Sequence, residues 1–220
     1  MVTRLARFRL RCWAAYPPWV TMTRFVLILT VAVLLTTGCK SSSGNPKVPA
    51  GAKSSGGMHA TIETDKGTIG IEFLPADAPR AVENFRLLAE HGYYDGVTFH
   101  RIVKGFMIQG GDPEGDGTGG LSAWGDPFPD EINRQSALYR GGYRRGLVAM
   151  ANAGPNTNAS QFFIMHQDYD LPPDYVIFAR VTSGMEAVDA LAAMPTTLGA
   201  DGGMSKPVTT PIMKKVTIQP

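Results

Sequence analysis

Four histidines, two cysteines and nineteen acidic side chains are the material from which a metal site or a nucleophile would have to be built. His59, His91, His100 and His166 share no paired spacing, so each reads as a surface or strand residue rather than a ligand. The run Asp112-Pro113-Glu114-Gly115-Asp116-Gly117 has the look of a calcium loop, but Ala123 stands where such a loop needs its closing glutamate, so it reads as turn chemistry. Its glycines are not followed by Gly-Lys-Ser/Thr and do not form a phosphate cradle, and Asn158-Ala159-Ser160 matches a glycosylation sequon over three residues only. Cys12 and Cys39 both precede the presumed folded part, which therefore has no thiol nucleophile, internal disulfide or cysteine zinc site. No Gly-x-Ser-x-Gly elbow is present. Any catalysis must work without a covalent intermediate or an evident metal, and no cofactor is expected. Two segments hold the remaining candidates. The first is Phe99–Gly111, FHRIVKGFMIQGG, followed by Gly117-Thr118-Gly119-Gly120; the second is Met150–Ile164, MANAGPNTNASQFFI. On composition alone Phe106, Met107 and Phe163 fit a barrel core, Gln161 and Asn152 fit loop backbone, and Arg101 fits a solvated strand.

Together the two segments closely resemble the cyclophilin family of peptidyl-prolyl isomerases, and the resemblance runs from about Ala60 to Ile218. It implies a mainly β protein, a closed eight-stranded antiparallel barrel capped by two α-helices, with an open groove on its outer face. By this resemblance Arg101 is the catalytic arginine. Gln109 assists it and, with Asn152 and Gln161, holds the substrate backbone. Phe106, Met107 and Phe163 form the proline pocket, and Ala151 and Thr118 line the groove. Human-type members place a Trp, a Leu and later a His after this pocket. Here the stretch reads IMHQDYDLPPDYVIFARV, about one residue shorter, with Leu171 at the Leu position, Tyr175 at the His position and no Trp. The groove is thus expected to keep its apolar floor, to lose an indole donor and to bind cyclosporin weakly. These residue types suit the chemistry. Rotation about a peptide bond faces a barrier of about 18–20 kcal/mol because resonance stiffens the C–N bond. X–Pro isomers are close in energy yet exchange over tens to hundreds of seconds. In the twisted state the prolyl nitrogen can accept a hydrogen bond, and a guanidinium is a permanent forked donor for it. Removing roughly 4 kcal/mol from the barrier gives about a thousandfold.

Those side chains need a scaffold, and the chain supplies its signals. His59–Thr64 and Thr68–Phe73 are β-rich runs around Asp65-Lys66-Gly67, a hairpin pattern. Pro79–His91 carries Val82, Phe85, Leu88 and Ala89 at helical spacing, with Pro79 suited to the first turn and Gly92 to the stop. Val97–Ile102, Phe106–Gln109, Gly146–Ala151, Gln161–Met165, Val176–Val181 and Ile212–Ile218 read as strands, Met185–Met194 as a second helix, and the glycine-rich 110–120 as loop. Many short strands with two helices argue for a barrel, not a doubly wound sheet.

The N-terminus reads differently. Phe25–Leu35 is an uncharged apolar run of signal-peptide length, shorter than the ~20 residues of a membrane-spanning helix. Thr36-Thr37-Gly38 and Cys39 follow, an arrangement that resembles a bacterial lipoprotein signal, although Thr36 stands where Leu is usual. Residues 1–38 are expected to be a signal peptide, with Met22 offering a start of more usual shape. Cys39 is expected to be acylated, and 39–58 to be a flexible Ser/Gly/Pro linker with a reach of roughly 25 Å. Residues 59–220 form the expected catalytic domain. The formal charge of +2 is unevenly spread: residues 1–38 hold five arginines and no acid, leaving 16 basic against 19 acidic groups, so a nucleic-acid partner is not expected. The expected partners are proline-containing segments of exported proteins, met at the extracytoplasmic face of a membrane. A Pro-peptide-binding or chaperone module with incidental turnover is the alternative, and a tethered adhesin a more distant one.

Overall fold

The computed structural model describes residues 48–220. The expected signal peptide, Cys39 and the first part of the linker lie outside the described residues. The described part holds ten strands and three helices: β1 His59–Thr64, β2 Gly67–Phe73, α1 Pro79–Glu90, β3 Arg101–Val103, β4 Met107–Gly110, α2 Ala137–Arg140, β5 Leu147–Met150, β6 Phe162–Met165, β7 Ile177–Ser183, α3 Met185–Ala192, β8 Thr196–Leu198, β9 Met204–Pro207 and β10 Met213–Gln219. Eight of the strands form one curled antiparallel sheet in the order β10-β1-β2-β7-β5-β6-β4-β3, and β8 and β9 pair apart from it. The expected closed barrel is corrected to a curled sheet whose two edge strands, β3 and β10, share no ladder. The seam is stitched instead by the residues ahead of β3. Met213 N–H donates to the Val97 carbonyl at 2.8 Å, and Phe99 N–H to the Pro211 carbonyl at 3.0 Å. Pro211 has no N–H to return, which limits the pairing at this edge.

Strand periodicity decides which residues point inward. Ile102, Ile108, Val148, Met150, Phe162 and Ile164 fill the interior, together with Phe85 of α1 and Val188 and Leu191 of α3. Phe85 is the hub: its ring stacks on Tyr94 at 4.9 Å and lies 5.4 Å from both Phe162 and Phe178. All four helical positions expected to be apolar in α1 are buried. Pro79 opens the helix, and Gly92, at φ +70°, lets the chain turn away after it. The N-cap, Ala78, has no side-chain bond to give; the Glu131 carboxylate accepts from the Arg80 and Ala81 N–H groups in its place.

Residues 48–58, the later part of the expected linker, lie along α1. Ser54 Oγ donates to the Glu83 carboxylate, Ser55 N–H donates to Glu90 at 2.8 Å, and Val48 and Ala52 pack against the core. The two ends of the domain meet, since His59 pairs with Gln219 across β1 and β10. The β8–β9 hairpin was not legible in the sequence, because its apolar residues Leu198 and Met204 are exposed and show no buried face. No helix among the described residues is long and apolar enough to cross a membrane.

Candidate active site

On the outer face of the sheet, register sets up a row. Arg101 on β3 pairs with Gln109 on β4, Gln109 pairs with Phe163 on β6, and Phe163 pairs with Ala149 on β5. Side chains in such a row stand about 5 Å apart on one face. Met107, Ala149, Phe163, Met165 and Ile177 thereby make a second apolar cluster outside the main core. A slip of one residue would send Arg101 inward and Ile102 out.

A cavity of about 310 Å³ opens along this row, lined by Arg101, Phe106, Met107, Gln109, Ala151, Asn152, Phe163, Leu171 and Tyr175. Nine of the eleven groove residues anticipated from the sequence therefore converge. The other two lie beside the cavity. Gln161 stands behind Gln109, and Thr118 sits out on the glycine-rich loop, its hydroxyl bonded to Asp116 at 2.7 Å. A larger cavity, about 680 Å³, lies between residues 48–52, the end of α1 and the Gly119–Gly125 loop, and shares no residue with the groove.

The polar side of the groove is a directed chain of hydrogen bonds. Gln161 Nε2 donates to the carbonyls of Gly117 and Gly119 at 3.0 and 2.9 Å. Carbonyls only accept, so the Gln161 amide oxygen must face Gln109, whose Nε2 donates to it at 2.9 Å. That turns Gln109 Oε1 toward Arg101, whose Nη1 lies 3.4 Å away. The glycine loop that starts this chain is folded around Asp112, a fully buried residue whose carboxylate accepts from the N–H groups of Glu114, Asp116 and Gly117. A Cβ at Gly119 would stand 2.3 Å from the Asp112 carboxylate, so no side chain fits there.

Arg101 is the one charged side chain lining the groove. His100, next to it, adds no charge at neutral pH, because burial pushes its pKa down. The Arg101 Nε–H donates to Asp201 at 2.8 Å, with 32% and 30% of the two side chains exposed. Ser205 and then Arg101 hold the Asp201 carboxyl down at about 2.

The apolar side is floored by Met107 and Phe163, both buried. Tyr175 meets Phe163 edge-on at 5.4 Å, and Tyr169 lies over Phe106 at 4.3 Å. Tyr175 is itself clamped: the Tyr143 hydroxyl donates to its carbonyl at 2.8 Å and accepts from its N–H at 3.0 Å. Tyr139 accepts from the Ile177 N–H at 3.0 Å, and burial raises its pKa to about 12. Both tyrosines belong to a segment, 137–143, to which sequence reasoning assigned nothing. Tyr143→Phe leaves the Tyr175 N–H without its partner, and a loss of about 1–3 kcal/mol in unfolding free energy is expected. Denaturant melts check this, and an unchanged midpoint would show that the clamp adds nothing. Asn152 lines the groove, but its side chain is committed to the Asp174 carbonyl and the Gly154 N–H.

The model of the cyclophilin-type peptidyl-prolyl cis-trans isomerases matches residues 59–218. The chain belongs to this family. It is 44% identical to peptidyl-prolyl cis-trans isomerase CYP18-1 of Arabidopsis thaliana over 162 residues, covering 73% of this chain and 96% of that one. It is 51% identical to the isomerase cyp15 of Rhizopus delemar over 136 residues, 61% of this chain but only 21% of that longer protein. Among solved structures it is similar to a cyclophilin-type isomerase of Cryptosporidium parvum, crystallised in the presence of the dipeptide Ala-Pro. The TM-score is 0.66, at 38% identity, covering 74% of this chain and 99% of that one. As a cyclophilin the chain is mainly β with few helices, and its outer-face cavity, part polar and part apolar, lies where β3, β4, β5 and β6 bring the two sequence motifs together. Among the described residues no cluster of His, Cys, Asp or Glu could hold a metal ion.

Proposed function

We infer that this cyclophilin turns X–Pro bonds in exported proteins, with Arg101 as the catalytic group and the cavity over Phe163 as the seat of the proline ring. One observation carries the reading: a guanidinium held by Asp201 borders a cavity of about 310 Å³ whose floor is Met107 and Phe163. The ring enters among Phe106, Met107, Phe163 and Leu171, the apolar side of the groove. Ala151, Asn152 and Gln109 offer polar partners to the flanking backbone, Asn152 through its main chain because its amide is already engaged. Gln161 acts behind Gln109 by fixing its orientation. The preceding carbonyl then rotates. In the twisted state the prolyl nitrogen regains its lone pair, and Arg101 donates to it. That bond exists only in the twisted state, so it lowers the barrier instead of tightening ground-state binding. The Ala-Pro dipeptide present with the Cryptosporidium relative supports a proline-containing ligand here. Exchange spectroscopy on an X–Pro peptide with the full chain tests the reading. Faster cis/trans exchange is expected, and binding without faster exchange would make this a Pro-peptide-binding module.

The place of work is read from sequence pattern. Residues 1–38 act as an export signal, Cys39 is acylated, and the 39–58 segment joins it to the domain. Two or more acyl chains make such an anchor stable, at about 0.8 kcal/mol per buried CH₂. Cys39→Ser releases the mature protein from membranes; retention unchanged by that substitution would rule the anchor out. The groove lacks a Trp, and submicromolar cyclosporin binding would contradict the weakened affinity proposed for it.

A further inference from the structure

The β8–β9 hairpin buries only Ser205 and Pro207 of its strands, and its tip carries the partner of the groove's one charge. Asp201 lies in the turn between the strands. One carboxylate oxygen accepts from Ser205 Oγ, at 2.5 Å, and from the Gly203 N–H at 3.1 Å. The other accepts from Arg101 Nε at 2.8 Å. Ser205 is buried, so the carboxylate is anchored from behind. The guanidinium meets it through Nε alone, while Nη1 faces Gln109 and Met107 at 3.4 and 3.7 Å. Arg101 is thus pinned from both sides, by a neutral amide on its own sheet and by a carboxylate on a separate hairpin. A guanidinium rotates freely about its long stem unless its fork is engaged, and bonding Nε fixes the plane while the carboxylate takes neither Nη donor.

We propose that Asp201 is a positioning residue for isomerisation, holding the Arg101 fork in the plane from which it reaches the twisted prolyl nitrogen. This rests on the reading of Arg101 given above. The carboxylate touches no substrate and moves no proton. Its work is to hold the donor in place before the peptide arrives, which removes the reorganisation that a mobile arginine would need.

The test uses the full chain in detergent and four variants: Asp201→Asn, Asp201→Glu, Arg101→Ala, and Arg101→Ala with Asp201→Asn. Asp201→Asn is expected to lower kcat about tenfold and to leave KM within about twofold, because the lost interaction acts in the twisted state. Asp201→Glu restores part of the rate. Removing Asp201 in the Arg101→Ala background costs nothing further, which a merely structural hairpin residue would not show. The Arg101 Nε–H resonance, protected from exchange in the parent, moves and exchanges faster in Asp201→Asn; this readout is independent of turnover. Asp201→Asn at the parent rate with Arg101→Ala slow would overturn the proposal alone. Equal losses in both backgrounds would do the same. Arg101→Ala at the parent rate would overturn both this proposal and the role given to Arg101.

Discussion

Replacing Arg101 by alanine lowers kcat/KM on an X–Pro peptide by about a hundredfold or more, the size seen when one preorganised donor is removed from a transition-state site. The loss falls on kcat, with KM nearly unchanged. The apolar grip of Phe106, Met107 and Phe163 is intact in the variant, and what disappears is a bond made only while the peptide is twisted. The fold is expected to survive, because Arg101 stands on the outer face, about a third exposed, and its pair with Asp201 is a surface pair of little stabilising effect. Unfolding midpoints measured beside the rates separate the two effects. A slow variant with a parent-like midpoint supports the role. A variant as fast as the parent would leave the groove a binding surface whose arginine is incidental.

The second large effect lies two strands inward, on β6. Phe162→Ala is expected to cost about 3–5 kcal/mol of stability, enough to threaten a domain of ordinary margin. Phe162 is fully buried and packs edge-on against Phe85 at 5.4 Å and Tyr94 at 5.6 Å, with Phe99 at 6.3 Å. Three aromatic partners cannot close the resulting void together, so most of the transfer and cavity cost remains. Its neighbour gives the control. Phe163→Ala, on the opposite face of the same strand, should act chiefly on KM. Chemical denaturation of the two variants decides it: equal midpoints would mean that the inside and outside of β6 are not the independent surfaces described here.

Only part of this division was legible beforehand. In Phe99–Gly111 the polar Arg101 and Gln109 mark one face and Ile102 and Ile108 the other, whereas Phe162-Phe163-Ile164-Met165 is apolar throughout, and it was resemblance that put Phe163 in the groove. Of the nine residues that converge, seven lie in Phe99–Gly111 and Met150–Ile164, and Leu171 and Tyr175 follow them. What escaped reading was contributed from a distance. Glu131 caps α1 from a loop fifty residues on, and nothing local to either end marks the partnership. Tyr143 reaches back to the Tyr175 backbone from a segment to which the sequence pattern assigned no element. Asp201 sits in a glycine-flanked stretch whose pattern says loop, and only the fold brings its carboxylate to Arg101. The barrel's seam was overestimated for a related reason. Ladder closure depends on backbone donors at one edge, and Pro211 withholds one where the count of strands could not show it.

The pairing of His59 with Gln219 has a consequence for the chain as a loop. Because the two ends of the domain lie side by side, a short turn joining Pro220 to Gly57 would make it continuous, and a new start could be opened in the exposed turn at Asp65-Lys66. Such a circular permutant would keep every strand pairing that positions the row from Arg101 to Ala149, since none of those strands is cut. The same proximity means that cargo fused behind Pro220 would emerge beside the polypeptide leading back to Cys39, at the end of the β1–β10 pair where His59 faces Gln219.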